Sequence, residues 1–149
     1  MRTLGIDYGT VRLGVAVSDE LGMIATGRET ITVTSMHVAV AKTVEAVDKY
    51  EPSRVVVGLP LNMDGSSGPM AKAVGVFVEK LGAELNLPVE TWDERMTSQE
   101  AERILIEANV SRAKRKKVID KMAAQAILQS WLDAHSDPIE FSDCDEPAR

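Results

Sequence analysis

The run Thr3-Leu4-Gly5-Ile6-Asp7-Tyr8-Gly9-Thr10-Val11-Arg12-Leu13-Gly14-Val15-Ala16-Val17-Ser18 decides how the rest of the chain is read. Thr3–Tyr8 is a short apolar stretch stopped by Gly9-Thr10. Arg12–Ser18 follows at once and alternates around Leu13, Val15 and Val17. Two β-type runs joined by so tight a turn predict an antiparallel hairpin. Downstream, Ile24–Val33 reads as a third, weaker strand, with Thr30, Ile31, Thr32 and Val33 favouring β structure.

Beyond Val33 the period changes. Met36, Ala39, Val40, Thr43, Val44 and Val47 recur at helical spacing, with Ser35 placed to cap. Arg54–Gly58 is a continuous apolar strand, of the kind buried on both faces in a parallel sheet. A Gly/Ser/Pro-rich loop from Leu59 to Pro69 leads to a helix over about Met70–Leu85. Pro88–Asp93 is the fifth strand, and Thr97 or Ser98 caps a helix to about Ala108. A basic stretch then precedes a last helix over about Val118–Ala134. The order βββαβαβαα predicts an α/β domain on a five-stranded mixed sheet, its three N-terminal strands antiparallel. Right-handed crossovers place the strands beginning at Thr3, Arg54 and Pro88 side by side. Sites in such sheets gather at the carboxyl ends of the parallel strands.

The chain has 149 residues, enough for one core, and 44% of them are apolar while only 4% are aromatic. The N-terminus meets charge too early for a signal peptide, and no apolar run reaches membrane-spanning length, so a cytoplasmic protein without membrane contact is expected. The lone Cys144 suits a reducing compartment. The net charge of −6 argues against a polyanion partner, but its distribution does not. Asp137, Glu140, Asp143, Asp145 and Glu146 against Arg149 give residues 135–149 a net charge of −4, leaving −2 for the rest. The expected division is a domain of residues 1–134 and an acidic, flexible tail of residues 135–149. Within the domain, Arg112, Lys114, Arg115, Lys116, Lys117 and Lys121 form one basic cluster, a footprint for nucleic-acid phosphates.

Three acidic positions carry the chemistry. Asp7 ends the first strand and Asp93-Glu94 ends the fifth. Asp120 shares a helix face with Ala124, Ile127 and Trp131, so it lies on or beside the inward face of the last helix. Each acid alone reads as a turn cap, a solvated ion pair or a helix-dipole partner. Together, converging carboxylates repel unless a cation lies between them. Oxygen donors suit Mg²⁺ or Mn²⁺, one or two ions, whereas His37, His135 and Cys144 lack the spacing of a zinc site. Between Asp93 and Glu94 the longer arm of Glu94 is preferred, giving Asp7, Glu94 and Asp120 as metal ligands. His37 is expected on a helix surface, His135 in the tail, and Trp92 in packing. Arg12 and Arg95 could reach phosphate from neighbouring edges. The Gly58–Pro69 loop, which precedes a helix N-terminus, could hold a phosphate or be a plain connector.

Four linked motifs carry a resemblance. Gly5-Ile6-Asp7-Tyr8-Gly9-Thr10-Val11-Arg12-Leu13-Gly14, Val57-Gly58-Leu59-Pro60-Leu61-Asn62-Met63-Asp64-Gly65, Asp93-Glu94-Arg95-Met96-Thr97-Ser98 and Lys117–Asp120 with Ala123-Ala124 resemble the motifs of the YqgF (RuvX) family, in order, up to about Leu132. That family is described both as Holliday junction resolvases and as pre-16S rRNA nucleases. The resemblance implies an RNase H-like fold, a metal-dependent nuclease, and catalytic acids drawn from Asp7, Asp93, Glu94 and Asp120. The match to RuvC-type enzymes is uneven. The strand Arg54–Gly58 has no acid where those enzymes carry one, and Ala123-Ala124 occupy the region of their second helix acid. The expected function is hydrolysis of phosphodiesters at the 5′ end of pre-16S rRNA. The alternatives are resolution of Holliday junctions and a nucleic-acid-binding module with weak catalysis. An actin-like or sugar-kinase domain would need two related halves, and 149 residues supply one. Each helix commits its single apolar stripe to the core, so a monomer or weak homodimer is expected.

Overall fold

The computed structural model describes residues 2–60, 68–93 and 112–135, with side chains in the last segment from Met122 onward. The elements are β1 (Thr3–Tyr8), β2 (Arg12–Ser18), β3 (Ala25–Thr32), α1 (Met36–Tyr50), β4 (Arg54–Leu59), α2 (Pro69–Glu84), β5 (Val89–Asp93) and α3 (Arg112–His135). The strands form one sheet in the order β3-β2-β1-β4-β5. β2 pairs antiparallel with β1 and β3, while β1–β4 and β4–β5 are parallel. This is the expected mixed sheet, with the strands from Thr3, Arg54 and the Pro88 region adjacent. The expected helix from Thr97 or Ser98 to Ala108 lies outside the described residues, as does the tail from Ser136.

The hairpin forms where the glycine signal predicts it. A Cβ on Gly9 would stand 2.6 Å from the Arg12 carbonyl oxygen, so the turn requires glycine. Ser35 caps α1 by accepting the Val38 N–H at 3.2 Å, and Pro69 opens α2. Pro88 has no N–H to give, yet its carbonyl accepts the Val55 N–H at 2.9 Å, so the strand proper starts one residue later than expected.

Alternation divides the sheet. Leu4, Ile6, Leu13, Val15, Val55 and Val57 face α1 and α2, where Phe77 and Leu81 are fully buried. Gly5, Ala16 and Val56 face α3, whose Ala124, Ile127, Leu128 and Trp131 form the second core. A Cβ on Gly5 would lie 2.7 Å from Leu128 Cβ and 3.2 Å from the Ala124 carbonyl oxygen, so α3 rests on β1 at backbone distance. At the sheet's edge, Gln125 and Gln129 accept the N–H groups of Gly27 and Ala25 on β3, each at 2.8 Å. These side chains from α3 occupy donors that an edge strand otherwise offers to another chain.

Two expectations change at α3. The helix starts at Arg112, not near Val118, so the basic run belongs to it rather than to a preceding linker. Ala, Lys and Arg are good helix formers and nothing between residues 112 and 118 breaks the pattern. At the other end His135, expected in the tail, is the last helical residue and stacks on Trp131 with centroids 4.1 Å apart. Among the described residues the helices expose Val76 on α2, whereas the β2–β3 turn displays Leu21, Met23 and Ile24. Among the described residues no helix is long and apolar enough to cross a membrane.

Candidate active site at the carboxyl edge of the sheet

Asp7 is the penultimate residue of β1, the central strand, and is half-buried. Strand parity puts it on the α3 side with Gly5. Its partner on β2 is Gly14, and on the β4 side Gly58 follows Val57, the partner of Ile6. Asp7 is thus flanked on both sides by residues without side chains, Gly14 and Gly58. Arg12, the first residue of β2, has the parity of Gly14 and Ala16 and so lies on the same face, near the same edge.

The direction of α3 follows from its contacts. Trp131, Leu132 and His135 line a cavity with Thr3, at the amino end of β1, while Ala124 and Leu128 meet Gly5. The helix therefore runs antiparallel to β1. From Gly5 to Asp7 the strand rises about 6.8 Å, and from Ala124 back to position 120 the helix rises about 6 Å. Position 120 thus stands one turn before Ala124, level with Asp7, and Arg112 and Lys114 to Lys117 come before it on α3.

Asp93 ends β5 opposite Leu59, two strands from β1. Val89 on β5 joins the α1/α2 core and Trp92 joins the α3 core. Asp93 has the parity of Val89, so it sits on the face opposite Asp7. Glu94, Arg95 and most of the loop before α2 (residues 61–67) lie outside the described residues. Trp92 packs as expected, donating to Ser130 Oγ at 3.0 Å, and His37 is exposed on α1. Among the described residues no three His, Cys, Asp or Glu side chains gather as a metal site. A second grouping, Arg54, Glu90, Trp131 and His135, went unnoticed in the sequence, although Trp131 and His135 stand at i, i+4 on one helix.

Known proteins place this architecture. The profile of the RuvX family, described as "Holliday junction resolvase", matches residues 1–134. A Myxococcus xanthus protein named "Putative pre-16S rRNA nuclease" is 51% identical over 138 residues, covering 93% of this chain and 91% of its own length. A Geobacillus kaustophilus protein of the same name is 53% identical over 136 residues, covering 90% and 99%. In three dimensions, Thermus thermophilus RuvC in complex with a Holliday junction has a TM-score of 0.59 at 19% identity, covering 90% of this chain and 94% of that one. The fowlpox virus resolvase in complex with junction DNA gives 0.59 at 12%, covering 92% and 100%. The fold is thus the RNase H-like one expected, and the chain belongs to the RuvX family.

Proposed function

We propose that this chain is a metal-dependent endonuclease that trims the 5′ end of pre-16S rRNA in the cytoplasm. Nuclease activity follows from the family, whose two descriptions both denote phosphodiester hydrolysis. The observation that carries the site is Asp7, half-buried on the central strand at the carboxyl edge, with glycine beside it and the start of α3 above it.

The donor set fits a hard divalent cation. Asp7 offers carboxylate oxygens between two glycine neighbours, and position 120 is level with it. Asp93 lies on the face opposite Asp7, which speaks for the longer-armed Glu94 as the ligand of that pair. Asp7, Glu94 and Asp120 would hold Mg²⁺ or Mn²⁺, which when bound activates water and offsets charge on the scissile phosphate. Arg12 and Arg95 would neutralise phosphate oxygens. Arg112, Lys114, Arg115, Lys116 and Lys117 crowd the positive end of the α3 dipole, with no acid in the first turn. That arrangement works against the isolated helix and in favour of a bound polyanion. Residues 1–134 would form the nuclease domain and residues 135–149 an acidic appendage outside it.

RNA is preferred because the relatives are named for it and because a monomer or weak dimer needs no two-fold site. The family's other description favours a second reading, a resolvase making paired cuts as a symmetric dimer. The missing acid on β4 and the alanines at 123 and 124 favour a third, a weakly catalytic binding module. One experiment separates them. The wild-type protein and Asp7→Asn are given a 16S precursor and a four-way junction, each with Mg²⁺, Mn²⁺ or chelator. Metal-dependent trimming of the precursor, lost in Asp7→Asn, is the expected result. Paired junction cuts with an untouched precursor would establish the resolvase, and binding without cleavage the third reading.

A further inference from the structure

At the amino end of the parallel strands, opposite the candidate active site, lies a cavity of about 410 Å³. On the helix side it is lined by Trp131, Leu132 and His135, on the hairpin side by Leu21 and Gly22, with Ser53 and Arg54 beside them. Its helix side is a built stack. The Arg54 guanidinium lies 5.2 Å from the Trp131 ring centroid, and the His135 ring lies parallel to Trp131, 4.1 Å away and tilted by 14°. Glu90 fixes the arrangement, accepting from Trp131 Nε1 at 2.9 Å and pairing with Arg54 at 3.0 Å. Trp92 meets the edge of His135 at 5.6 Å. Trp131 is 7% exposed, whereas His135, the outer layer of the stack, is open to solvent.

The hairpin side is equally fixed. Asp19 Oδ1 accepts the N–H groups of Met23 and Ile24 at 2.8 and 3.1 Å, and Gln129 Nε2 donates to the Met23 carbonyl at 2.9 Å. Leu21 is 78% exposed on this pinned turn. The pocket therefore exists before any ligand arrives.

We propose that this pocket is a base-stacking subsite, in which an unpaired nucleobase of the substrate lies on His135 beside Leu21. The inference rests on the nucleic-acid reading above. A planar aromatic surface backed by a second ring and a guanidinium suits a base, since stacking on such platforms tolerates any of the four. Arg54 is matched by Glu90, so the pocket offers little net charge and suits a base better than a phosphate. From position 120 to His135 the helix rises about 22 Å, the length of about seven stacked nucleotides at about 3.4 Å each. A strand cut near Asp7 could thus leave a base here, and the subsite would measure a distance from the cut.

The test uses the whole protein in metal-free buffer, so that nothing is cleaved. A fluorophore-labelled single-stranded RNA is titrated by anisotropy, and quenching of Trp92 and Trp131 by the unlabelled RNA is followed in parallel. The wild type should bind with tryptophan quenching. His135→Ala should loosen binding by about fivefold or more, the scale of one lost stacking contact. His135→Phe, which keeps an aromatic ring without the ring nitrogens, should bind as the wild type. Unchanged affinity in His135→Ala would overturn the proposal, as would a loss in His135→Phe equal to that in His135→Ala, which would assign the effect to the ring nitrogens and not to stacking. A change of sedimentation in Leu21→Asp, with RNA affinity intact, would assign the pocket to a protein partner and overturn it too. Failure of the wild type to cleave once Mg²⁺ or Mn²⁺ is added, with binding still sensitive to His135, would break the nuclease reading and leave this one standing.

Discussion

On the face covered by α1 and α2 the strands present Leu4, Ile6, Leu13, Val15, Val55 and Val57; on the face covered by α3 the same strands present Gly5, Asp7, Gly14, Ala16 and Val56. The first set fills space with branched side chains and holds its helices at ordinary packing distance. The second is thin, and lets the α3 backbone approach Gly5 within van der Waals contact. Because side chains alternate along a strand, one sheet can serve both ends at once. The thick face supplies most of the buried apolar surface. The thin face sets the height of α3, and with it the level of position 120 relative to Asp7.

This division breaks if a change on the thick face alters chemistry. Phe77 is fully buried there, its ring 4.7 Å from that of Tyr8, the residue after Asp7. Phe77→Ala should cost about 3–5 kcal/mol of stability, the range for deleting a buried aromatic ring. Below its lowered Tm, the cleavage rate should stay near that of the wild type. Denaturant unfolding and single-turnover cleavage at low temperature check both halves. A rate that collapsed while the protein was still folded would show that the faces are coupled through Tyr8.

Asp7→Asn should do the reverse. Cleavage should fall by about 10²–10³-fold, as when one preorganised electrostatic group is removed from a transition state. Stability should be unchanged or higher if Asp7 faces other acids as proposed, since acids that repel one another burden the fold. Thermal unfolding in chelator measures the second claim independently of the first.

Gly5→Ala sharpens the comparison because it touches no candidate site residue. The new methyl must displace Leu128 or the α3 backbone, which costs about 1–3 kcal/mol in overpacked cores. If the height of α3 positions Asp120, activity should fall further than stability accounts for. A variant destabilised in this range yet fully active at low temperature would separate helix height from catalysis.

Much of this architecture was legible in the chain. The hairpin was visible because Gly9 interrupts two β-type runs, and the sheet order followed from crossover handedness once the strands were placed. The start of α3 was misjudged because a run of cations reads as a solvated linker, although Lys and Arg extend a helix readily. Asp7 was legible as a strand-end acid. The face of Asp93 was not, because a one-residue uncertainty in a strand's parity exchanges its two sides. The stack at Trp131 and His135 was hidden for another reason. It joins α3 to β4 and β5 through Arg54 and Glu90, and no local pattern connects residues so far apart in sequence.

The smallest effect concerns the turn that carries Leu21. Asp19 begins it, and the N–H groups of Ile24 and Met23, both donating to its carboxylate, hold that carboxyl below its ordinary value of 3.8. A carboxyl whose pKa is lowered in the folded protein favours the folded turn above its ordinary value. That contribution is lost as the pH falls through the lowered, folded-state value. Asp19 is fully exposed, so the overall acid-unfolding curve should hardly move. The local consequence is measurable in the amide resonances of Met23 and Ile24, which should titrate together with a midpoint below 3.8. In Asp19→Asn the side chain still offers an oxygen but cannot ionise, so both resonances should stay flat through the same range. If they titrated in that variant, another group would be setting the turn. Since the turn joins β2 to β3 and is tied to α3 through Gln129, such a result would move the origin of that coupling from Asp19 to the helix.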